Sequence, residues 1–146
     1  MEVRELSGAD AAAIAGWRYP GRYSTYDFSD PSSLVRDHWA VEDNGVLVGY
    51  CCFGAPARVE GADEEPDVLD VGYGVAPDRM GRGLGHRFVG AVIAFALERY
   101  DPERVRLYVL DWNHRSASVA IRHGFEAVSE LTNAEGRFLV LERAER

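Results

Sequence analysis

The stretch that most limits how this chain can fold is "GVAPDRMGRGLGHRF", residues 74 to 88, which carries four glycines and three arginines. "VLDVGYGV" runs into it and "VGAVIAFAL", with no polar side chain, runs on from it. The first reads as a strand closed by Pro77. The second belongs to a helix over 83–99 with so few polar positions that it must be largely buried. The first four amides of a helix have no partner inside it and carry the positive end of its dipole. An anion, phosphate above all, is their natural complement. Glycine at 81, 83 and 85 removes the Cβ atoms that would hold a ligand off the backbone, and Arg79 and Arg82 add charge. Two well-known phosphate loops are excluded by the residues themselves. A P-loop needs a lysine and the chain has none, while a G-x-G-x-x-G fingerprint counted from Gly81 and Gly83 ends on His86. A tight turn into a buried helix is the plainer alternative.

Strands and helices succeed one another around this junction. "EVREL" is a short strand. Ser7 and Asp10 form the signature of a capping box for an alanine-rich helix that Pro20 and Gly21 stop. "WRYPGRYSTYDFSDP" lacks a period and is dense in aromatics and turn formers, which makes it an ordered loop, with a short helix near "SSLVRD". "HWAVEDNGVLVGYCCFG" is a hairpin turning at Asp43-Asn44-Gly45, and 55–66 is an acidic loop. "RVRLYVLD" is a strand, and "NHRSASVAIRH" a helix capped by Asn113 and closed by Gly124. "FEAVSEL" and "RFLVLER" make a last hairpin across "TNAEG". Residues 1–146 therefore read as a single domain, a mixed α/β sheet with helices on its faces.

Composition narrows the function. Apolar residues make up 47% of the chain, enough for a packed core, and the net charge of -8 argues against a general nucleic-acid binder. An acidic surface is compatible with a cationic or amine substrate. Cys51 and Cys52 are neighbours that point to opposite faces of an extended segment, so a disulfide between them is not expected, nor is a metal site. His38, His114 and His123 are scattered and add no metal cluster. No leader segment and no apolar run of about 20 residues stand in the sequence. A reducing, cytoplasmic setting without membrane attachment is the expectation.

Residues 75 to 85, "VAPDRMGRGLG", resemble motif A of the GNAT superfamily of N-acetyltransferases, in which V-x-P leads into [QR]-x-x-G-x-[GA]. Gly83 and Gly85 match the two small positions, and Met80 stands where glutamine or arginine is usual. "NHRSASVAIRHGF" resembles the family's later segment, with Asn113, Ser116, Gly124 and Phe125 matching. The resemblance implies a centrally splayed, mixed β-sheet of about seven strands flanked by about four helices, with acetyl-coenzyme A as cosubstrate. It places the cosubstrate's phosphates on Met80, Gly81, Arg82, Gly83, Leu84, Gly85 and His86, with Gly74, Val75 and Asn113 as further contacts and no metal. The acceptor would be a small-molecule amine or a protein N-terminus, and a homodimer is allowed.

Direct transfer of an acetyl group to an amine needs a deprotonated nitrogen, a donor for the carbonyl oxygen and a stabilised thiolate. The resemblance implies that the oxygen's donor is a backbone N–H near Gly74 or Val75. The family's usual proton donor, a tyrosine seven residues after the motif asparagine, is replaced by Ala120. Ser116 or Ser118 then carries the proton, or Ser116 serves only the helix start. Asp70, a carboxylate in an otherwise apolar strand, is the candidate base or ammonium anchor, against a structural role. Trp17, Tyr23 and Tyr26 line the acceptor pocket or hold the loop down. Ala120 keeps open a second function, a coenzyme A-binding sensor without turnover.

Overall fold

The computed structural model of the chain describes residues 1–145. One sheet of seven strands, in the order β1-β2-β3-β4-β5-β7-β6, runs through it. The strands are β1 (Glu2–Glu5), β2 (His38–Asp43), β3 (Val46–Phe53), β4 (Val68–Val75), β5 (Arg104–Leu110), β6 (Glu126–Asn133) and β7 (Gly136–Ala144). Four α-helices cover it: α1 (Gly8–Gly16), α2 (Pro31–Asp37), α3 (Gly85–Tyr100) and α4 (His114–Arg122).

The local signals explain most boundaries. The Ser7 hydroxyl accepts from the Asp10 amide and the Asp10 carboxylate accepts from the Ser7 amide, so the capping box opens α1 as expected. Asn44 (φ 51°) and Gly45 (φ 80°) supply the left-handed pair that turns β2 into β3. The Asn113 side chain accepts from the Ser116 amide and starts α4. Two expectations shift. The buried helix begins at Gly85 rather than 83, because Gly81 and Gly83 both sit at φ 74°, outside helical space. The aromatic loop contains a 3-10 turn over Gly21–Tyr26 ahead of α2.

Two cores lie on opposite faces of the sheet. On one, Phe88, Val89, Val92, Ile93 and Ala96 of α3 and Val119 and Ala120 of α4 pack on Val71, Val105, Leu107 and Leu141. On the other, Ala11 and Ile14 of α1 and Leu34 of α2 pack on Ala40 and Tyr50.

One sheet pairing is both parallel and short. β4 and β5 share three rungs, Val68–Arg104, Leu69–Val105 and Asp70–Arg106. Yet β4 continues to Val75 and β5 to Leu110, so past the third rung the strands part into a fork. At its vertex Arg106 donates to Asp70 from Nε at 2.6 Å and from Nη2 at 3.1 Å. Arg58 Nη1 adds a third bond at 2.9 Å and the Tyr108 hydroxyl a fourth at 3.0 Å. The Asp70 side chain is fully buried and that of Arg106 is 6% exposed. Removing one member of such a pair leaves a buried charge without compensation. Asp70→Asn is therefore expected to lower stability by about 3–5 kcal/mol, read as a fall in the denaturant midpoint; an unchanged midpoint would contradict a vertex held by this pair.

Candidate active site

Beyond the vertex, β4 offers an edge to which no strand is paired. Gly54 N–H donates to the Asp70 carbonyl and Ala76 N–H to the Val48 carbonyl, each at 2.8 Å. The register between those points runs without a shift. Bonded and non-bonded pairs alternate in an antiparallel ladder. Gly72 and Gly74 therefore spend their peptide groups on β3, whereas Tyr73 and Val75 turn theirs into the fork. Tyr19 reaches in from that side and donates its hydroxyl to the Val75 carbonyl at 2.7 Å. Of the two expected backbone donors, the Val75 amide faces the fork and the Gly74 amide does not. Gly74 meets a packing demand instead: a Cβ there would collide with the Tyr50 ring.

The fork opens into a cavity of about 170 Å³, whose wall includes Tyr73, Gly74 and Val75 of β4, Leu107, Tyr108 and Val109 of β5, and Ser116 of α4 with its cap Asn113. The same cavity extends to Met80 and Gly85, where α3 begins. No side chain caps that helix end. The amides of Gly85, His86 and Arg87 precede the first intrahelical bond, Phe88 N–H to the Leu84 carbonyl at 3.0 Å. Gly81, Arg82 and Gly83 are exposed at the mouth, with Leu84 half-buried behind them. Nothing lies within 4 Å of where a Gly83 Cβ would stand, so its glycine serves the left-handed backbone of the loop. A Gly85 Cβ would stand 3.4 Å from Val119, so that glycine brings α3 close to α4.

A further basic residue, Arg115, comes to the loop from α4 and was not singled out by the sequence. The Arg115 guanidinium stands 3.6 Å from a Cβ built on Gly81, and it borders the cavity. Arg87 turns away to Asp43, 3.2 Å distant. The His86 ring is stacked on His123 with centroids 4.2 Å apart, and its carbonyl meets the His123 Nε2 at 2.8 Å.

Six tyrosines crowd the cavity wall: Tyr19, Tyr23, Tyr26, Tyr50, Tyr73 and Tyr108. Tyr23 and Tyr26 are among them, packed on Trp112 at centroid distances of 5.1 and 6.1 Å. Asn113 Nδ2 donates to the Tyr26 hydroxyl at 3.0 Å, so this residue both caps α4 and fixes the aromatic wall. Trp17 lies outside the wall, against Tyr50 at 6.3 Å, where it supports the α1 face. Arg22 covers the Trp112 ring at 4.4 Å and Arg115 the Tyr23 ring at 5.8 Å, so the chain's own cations already occupy these aromatic faces. Burial raises the phenols of Tyr19, Tyr26 and Tyr50 above their ordinary value, which keeps them protonated donors.

Asp70 requires a correction. It does not border the cavity, and its oxygens are taken by two guanidiniums and a phenol. Its oxygens are committed to these donors and face no acceptor in the cavity, so its place is the vertex of the fork. Among the described residues, no carboxylate lines the cavity.

Known proteins share this fold. The sequence profile described as an acetyltransferase (GNAT) domain matches residues 2–126. No curated protein matches the chain by sequence. Among solved structures, the aminoglycoside acetyltransferase AAC(6')-Ib in complex with coenzyme A and kanamycin superposes with a TM-score of 0.75 at 18% identity, over 99% of this chain and 94% of that one. yncA, a putative acetyltransferase from Salmonella typhimurium with acetyl-CoA, gives 0.71 at 18%, over 97% and 92%. A chimera of the spermidine N-acetyltransferase SpeG from Vibrio cholerae and hSSAT gives 0.75 at 13%, over 97% and 93%. At these identities the structures show a common fold, and the domain match across most of the sequence shows the family: this chain belongs to the GNAT acetyltransferases.

Proposed function

We propose that the protein is an acetyl-coenzyme A-dependent N-acetyltransferase that acylates a primary amine by direct attack within a ternary complex. The observation that carries this reading is the continuity of one cavity, from the unpaired edge of β4 to the uncapped amides of α3. An extended amide-bearing arm fits the first, as an added strand would, and a diphosphate fits the second. Acetyl-coenzyme A has both parts, and when bound it supplies an activated acyl group. Structural relatives solved with coenzyme A or acetyl-CoA support the choice of carrier.

The chain's own groups then divide the work. Gly81, Gly83, Gly85, His86 and Arg115 would hold the phosphates, with Met80, Arg82 and Leu84 shaping the loop. The Val75 amide, aimed into the fork, would donate to the carbonyl oxygen as negative charge develops there. Asn113 and Ser116 would line the reacting end, and Tyr23 and Tyr26 the acceptor side. Because no carboxylate stands in the wall, the amine's proton leaves to solvent through the open cleft. The nature of the acceptor's remainder is tested rather than assumed, since the named relatives act on amines as different as aminoglycosides and spermidine.

The decisive experiment is release of free thiol from acetyl-coenzyme A over a panel of aminoglycosides, polyamines, amino acids and peptide N-termini. Turnover with at least one amine is expected. Tight binding with no turnover on any amine would favour the sensor that Ala120 keeps open. Where the acceptor is a lysine-type amine, kcat/KM should rise about tenfold per pH unit toward the amine's own pKa of ~10.4. A plateau below pH 8 would reveal a base in the enzyme and contradict proton loss to solvent. Gly83→Glu adds a carboxylate at an exposed loop position with open space around it. It should eliminate coenzyme A binding in calorimetry while the free protein stays folded, with only the loss of about 1–2 kcal/mol that a non-glycine residue costs at a left-handed position; retained affinity would reject the cradle.

A further inference from the structure

Tyr73 brings to the cavity wall a polar group that the reaction described above leaves unused. Its ring lies on the α3 face of β4, 6.0 Å from Phe88. Its hydroxyl oxygen is buried and has no hydrogen-bond partner. A desolvated hydroxyl without a partner is unfavourable, and such groups in folded proteins call for an explanation. The same residue borders the cavity beside Ser116 and Val119. Ser116 lies near enough to draw the phenol's titration down against its burial. Even so, the two side chains do not meet hydrogen-bond geometry, so the Tyr73 proton is uncommitted.

The position is telling in relation to α4. Ser116 and Ala120 lie one turn apart on one face of that helix, and Ala120 is fully buried. A methyl group at 120 offers nothing to a leaving group, whereas Tyr73 brings a phenol to the Ser116 end of that face from the opposite wall of the fork. We propose that Tyr73 is a catalytic residue whose hydroxyl donates the hydrogen bond that stabilises the departing thiolate. This inference rests on the N-acetyltransferase reading above. In the step concerned, a bond forms between the amine nitrogen and the acetyl carbon, and the carbon–sulfur bond breaks with its electron pair on sulfur. The amine's proton goes to solvent. The phenol keeps its own proton: burial pushes Tyr73 up to about 12, above the ~8.5 of an ordinary thiol, so the thiolate is solvated by the hydroxyl rather than protonated by it.

Tyr73→Phe removes one oxygen that bonds to nothing in the free protein, so the variant's thermal midpoint should equal or exceed that of the wild type. A large fall would overturn the claim of an uncommitted hydroxyl. The direct readout is the titration of the thiol of bound coenzyme A, followed by thiolate ultraviolet absorbance in saturated complexes. A lost hydrogen bond to a charged atom should raise that pKa by about one to two units and cut kcat by about 10- to 100-fold. Affinity for acetyl-coenzyme A should be nearly unchanged. Unaltered thiol titration and kcat, with binding intact, would overturn the role of Tyr73 and leave the N-acetyltransferase reading standing. Failure of the wild type to bind coenzyme A at all would overturn that reading and this inference with it.

Discussion

The Asp70–Arg106 pair decides where the sheet stops being a sheet. Two parallel strands left to themselves would go on exchanging hydrogen bonds until one ended. Here the pairing ends on the rung that carries both charges. The guanidinium spans the two strands at that rung, and its remaining donors tie down the acidic loop through the Asp63 carbonyl at 2.7 Å and Glu65 at 3.1 Å. Arg58 and Tyr108 complete the shell around Asp70. A charge pair buried this deeply is a poor source of net stability compared with apolar packing. What it supplies is a fixed point from which β4 and β5 diverge, and the cavity is the space between them.

From that fixed point the rest follows by geometry. Alternation along β4 sends every second peptide group into the fork, and glycine at 72 and 74 lets the other face of the strand lie against Cys52 and Tyr50. Pro77 and the left-handed glycines at 81 and 83 then turn the chain so that α3 starts beside the cavity with its first amides bare. The helix is anchored behind this opening by Phe88, Val89 and Val92. Its dipole and free amides are thus held in place before any ligand arrives, which spares the cost of organising them on binding.

Much of this was legible in the residues. The period of the strands, the capping box at Ser7 and Asp10, the Asn44-Gly45 turn and the glycine junction all act through neighbours a few positions away, and the structure has them where the sequence puts them. Long-range relations were not legible. Asp70 stood out as an isolated carboxylate in an apolar strand, but its partners, Arg58 and Arg106, lie 12 and 36 positions along the chain. Arg115 looked like any exposed arginine until folding set it beside Gly81. Tyr73 was hidden by its own suitability for a strand: an aromatic residue between glycines reads as packing, and nothing local says that its hydroxyl will lack a partner. Trp17 and Tyr23 belong to one aperiodic loop, yet one supports a core and the other lines the cavity.

Amide hydrogen exchange along β4, with and without coenzyme A, tests the central claim that the carrier docks on the strand edge bared by the fork. The Gly72 and Gly74 amides, bonded to β3, should be protected in both states. The Tyr73 and Val75 amides should exchange quickly in the free protein and slow sharply when coenzyme A is added. Equal protection of all four amides in the free protein, or no change at Tyr73 and Val75 under saturating ligand, would contradict it.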